Sequence, residues 1–171
     1  NIYWAGSASD AVGLTVTLHT IHIFTGQVTS FISGRHVKFL AGSSRERVEF
    51  IEPVGFVNMF HLGHPEPATL PLYIPGVKTV TLKGGLRENS LNMLAIIVAR
   101  LGLTNTVNKK QVLGNILKTA LPVLKKVQQS SVPISGIRVD IKGYLGNKKQ
   151  HLVYQAADSM KNLTSVPLAI G

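Results

Sequence analysis

Apolar and polar residues alternate with the two-residue period of a β-strand in several stretches of the chain. Between residues 56 and 61, the side chains of Phe56, Asn58 and Phe60 share one face of a predicted strand, and the residues that alternate with them share the other. Comparable patterns predict strands at three places: 27–34, 47–63 and 76–85. The last of these strands is expected to end in a tight turn at its pair of glycines.

Two later segments have the 3.6-residue period of amphipathic helices. In residues 88–102, Asn89 is the expected N-cap and Gly102 the residue that ends the helix. The stripe expected to face the core consists of Leu91, Leu94, Val98 and Leu101. A second helix is predicted over residues 108–127, and Pro122 should kink it because proline removes a backbone donor.

The remaining elements complete the predicted fold class. Residues 136–158 alternate on both sides of Gly146-Asn147, which predicts a β-hairpin, and residues 162–171 look like the opening of a helix. The apolar segment 10–26 is ambiguous, with a helix capped by Asp10 slightly favoured over a strand. Because strands cluster instead of alternating with helices, we predict an α+β fold with a mixed, mostly antiparallel sheet and helices packed on one face.

Composition and charge narrow the function classes. With 44% hydrophobic residues and a length of 171 residues, the chain can form one domain with a core. The absence of cysteine excludes disulfides and cysteine nucleophiles and is typical of a cytoplasmic protein. The net charge is +10 and is concentrated after residue 100, which suits an anionic partner or a solvated basic face. No apolar segment has the length of a membrane span.

The densest cluster of titratable residues lies in the proline-rich stretch "GHPEPATLP" (63–71), which we expect to be a rigid loop. His64 and Glu66 at its centre, with His61 just before it, could perform acid–base chemistry, because the environment can bring their pKa values near neutrality. The alternative is a structural loop in which Glu66 caps a backbone donor. His19 and His22, three residues apart, fit packed or interface histidines better than metal ligands.

The stretch "KGGLRENS" (83–90) is the second candidate, because a helix N-terminus beside Lys83 and Arg87 could attract an anion. The alternative is a tight strand-to-helix turn. The chain has neither the G-x-G-x-x-G nor the G-x-x-x-x-G-K-[ST] fingerprint, so no nucleotide-binding loop is encoded.

Residues 46–102 carry a family resemblance. The order of a strand with Glu-Pro, the motif "HPEP", then "TLP", "PGV", "GGL" and a long helix resembles saccharopine dehydrogenase and related enzymes. The hairpin "IRVDIKGYLGNKKQHLVYQAAD" and the segment "NLTSVPLAIG" are similar to the elements that follow in that family.

The resemblance implies an assignment for the whole chain. Residues 1–171 correspond to the family's C-terminal substrate-binding and dimerisation domain, without the N-terminal Rossmann domain, and we therefore expect a fragment. The family's enzymes transfer a hydride between NAD or NADP and a carbon–nitrogen bond of an amino acid or its dicarboxylate adduct. The resemblance makes His64 and Glu66 candidate catalytic residues, and Lys83, Arg87 and Lys142 candidate partners of substrate carboxylates.

Three expectations and one alternative follow from this assignment. His64 and Glu66 should line a concave surface, the domain should form a homodimer, as the apolar segment 11–24 and the family's habit of pairing suggest, and this chain alone should bind neither NAD nor NADP. The alternative function is a basic module that binds nucleic acid or an acidic protein without catalysis. Nucleic acid is disfavoured, because the few aromatic residues are not interleaved with the basic runs.

Overall fold

A computed structural model describes residues 1–10, 19–20, 22–103, 106–128 and 132–170. The strands are β1 (Ile2–Gly6), β2 (Gln27–Ile32), β3 (Arg35–Leu40), β4 (Glu46–Glu49), β5 (Phe56–His61), β6 (Leu82–Leu86), β7 (Ser135–Leu145) and β8 (Lys148–Asp158). The described helices are α1 (Glu66–Tyr73), α2 (Asn89–Arg100), α3 (Val107–Gln128) and α4 (Met160–Ile170). The predicted strands at 27–34 and 47–63, the hairpin and the C-terminal helix are thereby confirmed.

The strands form one large and one small sheet. Six strands lie in the order β4-β5-β6-β1-β7-β8, and β2 and β3 form a separate antiparallel pair. Within the six-stranded sheet β1 and β6 run parallel, and the other neighbouring strands are antiparallel. A bridge between Phe31 and Val80 joins the small sheet to the segment before β6. The predicted α+β class with a mixed, mostly antiparallel sheet is confirmed.

The large sheet has a separate apolar core on each face. Lys83 pairs with Tyr3 on one side and with His61 on the other, so these three side chains share a face. The core on that face contains Tyr3, Ala5, Val48, Phe50, Val54, Val57 and Met59. The core on the opposite face contains Ile23, Phe24, Phe60, Leu62, Leu82 and Ile96, with Trp4 packed against it.

The proline-rich stretch is not a loop. Helix α1 begins at Glu66 after an N-cap at Pro65, and Pro67 lies in its first turn. Proline is tolerated there because the first amides of a helix have no intrahelical acceptor. The prediction of a loop was therefore wrong for residues 66–71. Pro71 lies inside the helix, where the first-turn argument does not apply.

The double glycine lies inside a strand, which corrects the predicted turn. Gly84 and Gly85 are central residues of β6, between β5 and β1. The indole of Trp4 lies directly against Gly84, where a Cβ atom would be 2.7 Å from Trp4 Nε1 and 2.9 Å from Leu62 Cδ1. Glycine at position 84 therefore makes room for a tryptophan on the neighbouring strand.

Helix α2 buries a different face from the one predicted. Its buried residues are Asn92 and Ile96, whereas Leu94 and Leu101 are 52% and 68% exposed. Asn92 accepts a hydrogen bond from the Leu86 amide and donates one to the Leu86 carbonyl, both at 2.7 Å. A buried asparagine that satisfies the end of β6 thus determines how the helix faces the sheet. The N-cap is Glu88, one residue before the predicted Asn89.

Two predictions concern residues described only in part. Residues 19–20 and 22–23 are helical, while residues 11–18 and 21 of the apolar segment lie outside the described ranges. Helix α3 extends past position 122, and the kink at Pro122 stays a prediction. None of the helices in the described ranges is both long enough and apolar enough to cross a bilayer.

Candidate functional site

The centre of the candidate site is a contact between the side chains of His64 and Glu66. His64 follows β5, and Glu66 is the first residue of α1, so the start of the helix places the carboxylate beside the ring. Nδ1 of His64 lies 3.6 Å from Oε2 of Glu66, and the two side chains are 20% and 38% exposed. Interaction with His64 holds the pKa of the Glu66 carboxyl below its ordinary value, although burial opposes this shift.

Two aromatic rings enclose His64. The ring of His19 meets it edge-on, with centroids 5.6 Å apart, and the indole of Trp4 is tilted against it at 6.0 Å. Burial, followed by the charges of His64 and His22, lowers the pKa of His19. His19 therefore contacts this cluster, although His19 and His22 are both exposed. No group of three or more metal-ligating side chains occurs among the described residues.

Three buried polar atoms of this cluster lack a hydrogen-bond partner among the described residues: Trp4 Nε1, His64 Nε2 and Glu66 Oε2. Buried polar atoms in proteins are normally paired, because an unmade hydrogen bond costs about 1–3 kcal/mol. We call Trp4, His19, His64 and Glu66 the His64 cluster. Among the described residues, one other buried side-chain atom lacks a hydrogen-bond partner, Oε1 of Glu88.

The Lys83 ammonium, in contrast, has two hydrogen-bond partners. It donates to Glu46 Oε2 at 2.7 Å and to the Ser44 carbonyl at 3.1 Å, and only 14% of the Lys83 side chain is exposed. The Tyr3 hydroxyl donates to the other oxygen of Glu46 at 3.2 Å. Because Trp4 and Tyr3 are neighbours on β1, the His64 cluster and this network lie on opposite faces of the sheet. Lys83 is therefore separated by the sheet from the His64 cluster.

His61 belongs to the Lys83 side of the sheet. Its ring stacks on Phe39, with centroids 4.1 Å apart and planes 12° from parallel. Burial, followed by the charge of Lys83, lowers the pKa of His61. His61 and His64 are only three residues apart in sequence, yet their side chains lie in different environments, because β5 ends at His61.

Arg87 holds backbone segments together. Its guanidinium donates to the carbonyls of Val132, Ile134 and Pro53 at 3.0–3.1 Å. The neighbouring Glu88 is the N-cap residue of α2, where its side chain makes no capping bond, and its Oε2 accepts the Ala8 amide at 3.0 Å. A carboxylate thus already lies at the helix N-terminus where an anion was expected, which favours the strand-to-helix turn interpretation of residues 83–90.

Lys142 lies on β7, paired with His151 of β8, and its side chain is exposed. On the same strand, Arg138 Nε donates to Asp140 Oδ1 at 2.8 Å, while Asp140 Oδ2 lies 3.6 Å from His151 Nε2. Burial acts to raise the pKa of Asp140, but the bond from Arg138 and the surrounding positive charges leave it below its ordinary value. This network was not predicted from the sequence, although the spacing of Arg138 and Asp140 places both side chains on one face of a strand.

No protein-family model matches this chain, and no curated protein is significantly similar to it in sequence. The resemblance to saccharopine dehydrogenase therefore stays a prediction. Two features of His64 bear on the predicted acid–base role: Nδ1 faces Glu66, and Nε2 has no partner among the described residues. A histidine oriented by a carboxylate on one nitrogen, with the other nitrogen unpaired, is the arrangement of a general acid–base.

Proposed function

We propose that this chain is the substrate-binding domain of a saccharopine dehydrogenase-like oxidoreductase that acts on a carbon–nitrogen bond of an amino acid or its dicarboxylate adduct. The observation that supports this proposal is the His64 cluster, in which Glu66 faces Nδ1 of His64 and the buried Nε2 has no partner among the described residues. The family resemblance of residues 46–102 supplies the reaction class.

The roles of the residues follow from this arrangement. With its Nδ1–H directed at the Glu66 carboxylate, neutral His64 presents the Nε2 lone pair, which can accept a proton from a substrate amine or a water. The nearby carboxylate stabilises the imidazolium that results. The adjacent Trp4 Nε1–H can donate a hydrogen bond to a substrate oxygen. Of the three cations suggested as carboxylate partners, Lys142 has no ion pair or side-chain hydrogen bond among the described contacts. It shares the face of Arg138 and Tyr3, however, and so lies on the opposite side of the sheet from the His64 cluster. The proposal therefore gives it no role beside His64.

The Gly84-Gly85 pair does not form a pyrophosphate-binding turn. The space beside Gly84 is filled by Trp4, the space beside Gly85 is bounded by Asn92 and the Asn58 carbonyl, and the sequence lacks the three-glycine fingerprint. In our proposal the NAD(P)-binding domain belongs to another part of the enzyme.

Calorimetric titration of L-saccharopine and L-lysine into the chain tests the proposal. We expect binding of at least one of them, and at least tenfold weaker binding by His64→Gln, because the glutamine amide can neither accept the proton nor present the same ring. The control is His151→Gln, which removes an exposed histidine from β8 and should leave affinity unchanged. No binding by the unchanged protein, or equal binding by His64→Gln, would contradict the assignment.

Titration of NAD and NADP into the same protein tests the domain assignment separately. We expect no binding at submillimolar concentration, because neither glycine of the Gly84-Gly85 pair leaves room for a pyrophosphate. Stoichiometric tight binding of either nucleotide would show that this chain holds the cofactor itself.

The basic-module function is the second candidate, since the described surface exposes cations on β3 and at the hairpin turn: Arg35, Lys38, Lys148 and Lys149. Retention on heparin and on duplex DNA as a function of salt distinguishes the two functions. A nucleic-acid-binding module would lose affinity steeply with salt, in proportion to the phosphates that it neutralises. We expect a shallow dependence.

A further inference from the structure

The outer half of the β7–β8 hairpin lacks a supporting strand. Strand β1 pairs with β7 from Ile2 opposite Val139, so β7 residues beyond position 140 pair only with β8 among the described residues. Both faces of this ribbon are open: Ile141 is 50% exposed, Tyr144 and Leu145 are each 76% exposed, and Leu152 is 48% exposed. A bare two-stranded ribbon is marginally stable in water, so an added strand would stabilise it.

The free backbone groups of β8 can be identified from its neighbours. The amide of Asp140 donates to the Asn1 carbonyl, so Asp140 directs its backbone groups toward β1 and away from β8. Its partner Val153 must then direct its own N–H and C=O away from β7, toward the open edge. By the same alternation His151 and Gln155 also present backbone groups at that edge, which no described strand covers.

The charges along β8 indicate which partner this edge accepts. Lys148 and Lys149 lie at its first end, and Asp158 lies at its last. A parallel copy would place lysine beside lysine, whereas an antiparallel copy places each lysine end beside an aspartate end. The edge strand β3 carries Arg35, His36 and Lys38, so it does not provide a complementary charge pattern.

We propose that β8 pairs antiparallel with β8 of a second copy of this chain, about a two-fold axis at Val153. In this register Val153 faces Val153 of the other copy in a hydrogen-bonded pair, Leu152 faces Tyr154, and Lys148 faces Asp158. The two large sheets become continuous, and each outer ribbon gains a strand from the other copy. The proposal rests on strand geometry and does not depend on the proposed catalytic function.

This interface differs from the one expected from sequence. The apolar segment 11–24 was the anticipated contact, but Ile23 and Phe24 are buried within the chain's own core. Residues 11–18 and 21 lie outside the described ranges. In the proposed dimer, the exposed apolar side chains of the hairpin, Leu152 and Tyr154 among them, form the contact instead.

Single-cysteine variants test the register directly, because the chain contains no cysteine of its own. Residues in a hydrogen-bonded antiparallel pair have Cα atoms about 5.5 Å apart, within the range that a disulfide spans. We expect Val153→Cys to form a covalent dimer under mild oxidation at least about tenfold faster than Val37→Cys, which places a cysteine on the exposed edge strand β3. Equal rates for the two variants, or a faster rate for Val37→Cys, would overturn the proposal.

A charge reversal tests the same interface without a covalent bond. Lys148→Glu places two like-charged pairs across the two-fold axis and should raise the dimer dissociation constant about threefold to tenfold in analytical ultracentrifugation. Adding Asp158→Asn should recover part of that loss, because asparagine removes the negative charge and keeps the oxygen that accepts the Ser159 amide. The control Lys142→Glu changes a lysine on the other hairpin strand and should leave the constant within about twofold.

Either of two results would overturn the proposal in this experiment. One is a monomer at the highest protein concentration reached, and the other is equal dissociation constants for Lys148→Glu and Lys142→Glu. Because Lys148→Glu and Val153→Cys leave the His64 cluster unaltered, saccharopine binding by the same proteins reports separately on the proposed function.

Discussion

Glu46 and Glu66 each face a basic side chain, and the two pairs differ in how many of their polar atoms have hydrogen-bond partners. Glu46 accepts a short bond from Lys83 at 2.7 Å and a second from Tyr3, so both of its oxygens are occupied. Glu66 approaches His64 only to 3.6 Å, and the far nitrogen of that ring has no partner among the described residues. The first arrangement holds strands together, whereas the second leaves capacity for a ligand.

The comparison shows why charge and residue type do not identify a site by themselves. Lysine and glutamate can also perform acid–base chemistry, but Lys83 lies within a sheet where neighbouring strands supply its acceptors. His64 lies just beyond the end of β5, where no further strand residue of the described chain is placed to pair with it. Hydrogen-bond capacity that remains unused after folding is therefore the better indicator of function.

The largest effect is expected from Gly84→Ala. Gly84 packs against Trp4 of the His64 cluster and is adjacent on β6 to Lys83, the partner of Glu46. A Cβ atom at position 84 would collide with Trp4 and Leu62, and overpacking of this kind should reduce the free energy of unfolding by about 2–3 kcal/mol. Gly143→Ala is the matched control on β7, because nothing lies within 4 Å of a Cβ atom there. Urea unfolding should show a large loss for the first variant and a change within about 0.5 kcal/mol for the second. Similar losses would contradict the packing assigned to Trp4.

The next effect concerns Tyr3→Phe and alkaline pH. Burial, together with the nearby Glu46 carboxylate, raises the pKa of Tyr3 from 10.0 to about 12. The protonated hydroxyl is favoured in the folded state, so its contribution is fully present below pH 10 and is lost as the pH rises toward 12. The Phe variant should be about 1 kcal/mol less stable at pH 8, and this difference should shrink by about pH 11.

Urea unfolding of both proteins at the two pH values measures that change. Tyr73→Phe is the control, because Tyr73 is 79% exposed and should behave like the unchanged protein at both pH values. A stability difference between the Tyr3 variant and the unchanged protein that is independent of pH would show that the hydroxyl does not titrate as described.

The smallest effects separate the two glutamates. Glu46→Gln should lower the free energy of unfolding by about 1 kcal/mol, because it weakens the bond from Lys83. Glu66→Gln should cost only a few tenths of a kcal/mol near neutral pH, since its contact with His64 is 3.6 Å long, whereas Glu46 accepts a 2.7 Å bond from Lys83. The lowered pKa of Glu66 means that its contribution is present above the unfolded-state pKa and is lost as the pH falls through the folded-state value.

Thermal unfolding at neutral and at acidic pH, about pH 7 and about pH 3, measures both variants. At the acidic pH the Glu66 variant should match the unchanged protein more closely than at neutral pH. A larger loss for Glu66→Gln than for Glu46→Gln at neutral pH would mean that the His64 cluster stabilises the fold, which would weaken its interpretation as a ligand site.

Local pattern predicted the elements whose causes are local. The alternation between residues 56 and 61 and the turn at Gly146-Asn147 are confirmed, because side-chain period and turn chemistry act over a few residues. The error at α1 arose from the same local rules, since proline is unfavourable inside a helix and acceptable in its first turn, where Pro67 lies; Pro71 lies inside the helix against that rule. The pairing of His64 with Glu66 was also visible in the sequence, because only Pro65 stands between them.

Residue order alone was enough to predict the α+β class, most of the strands, the hairpin and the proximity of His64 to Glu66. Tertiary packing was needed to show that Trp4 and His19 enclose that histidine, that Lys83 belongs to Glu46, and that α2 faces the sheet through Asn92. Lys83 and Glu46 are 37 residues apart in sequence, and Trp4 meets Gly84 across a strand pair of even longer separation. Such contacts depend on strand order and register, which no periodicity within a single segment encodes.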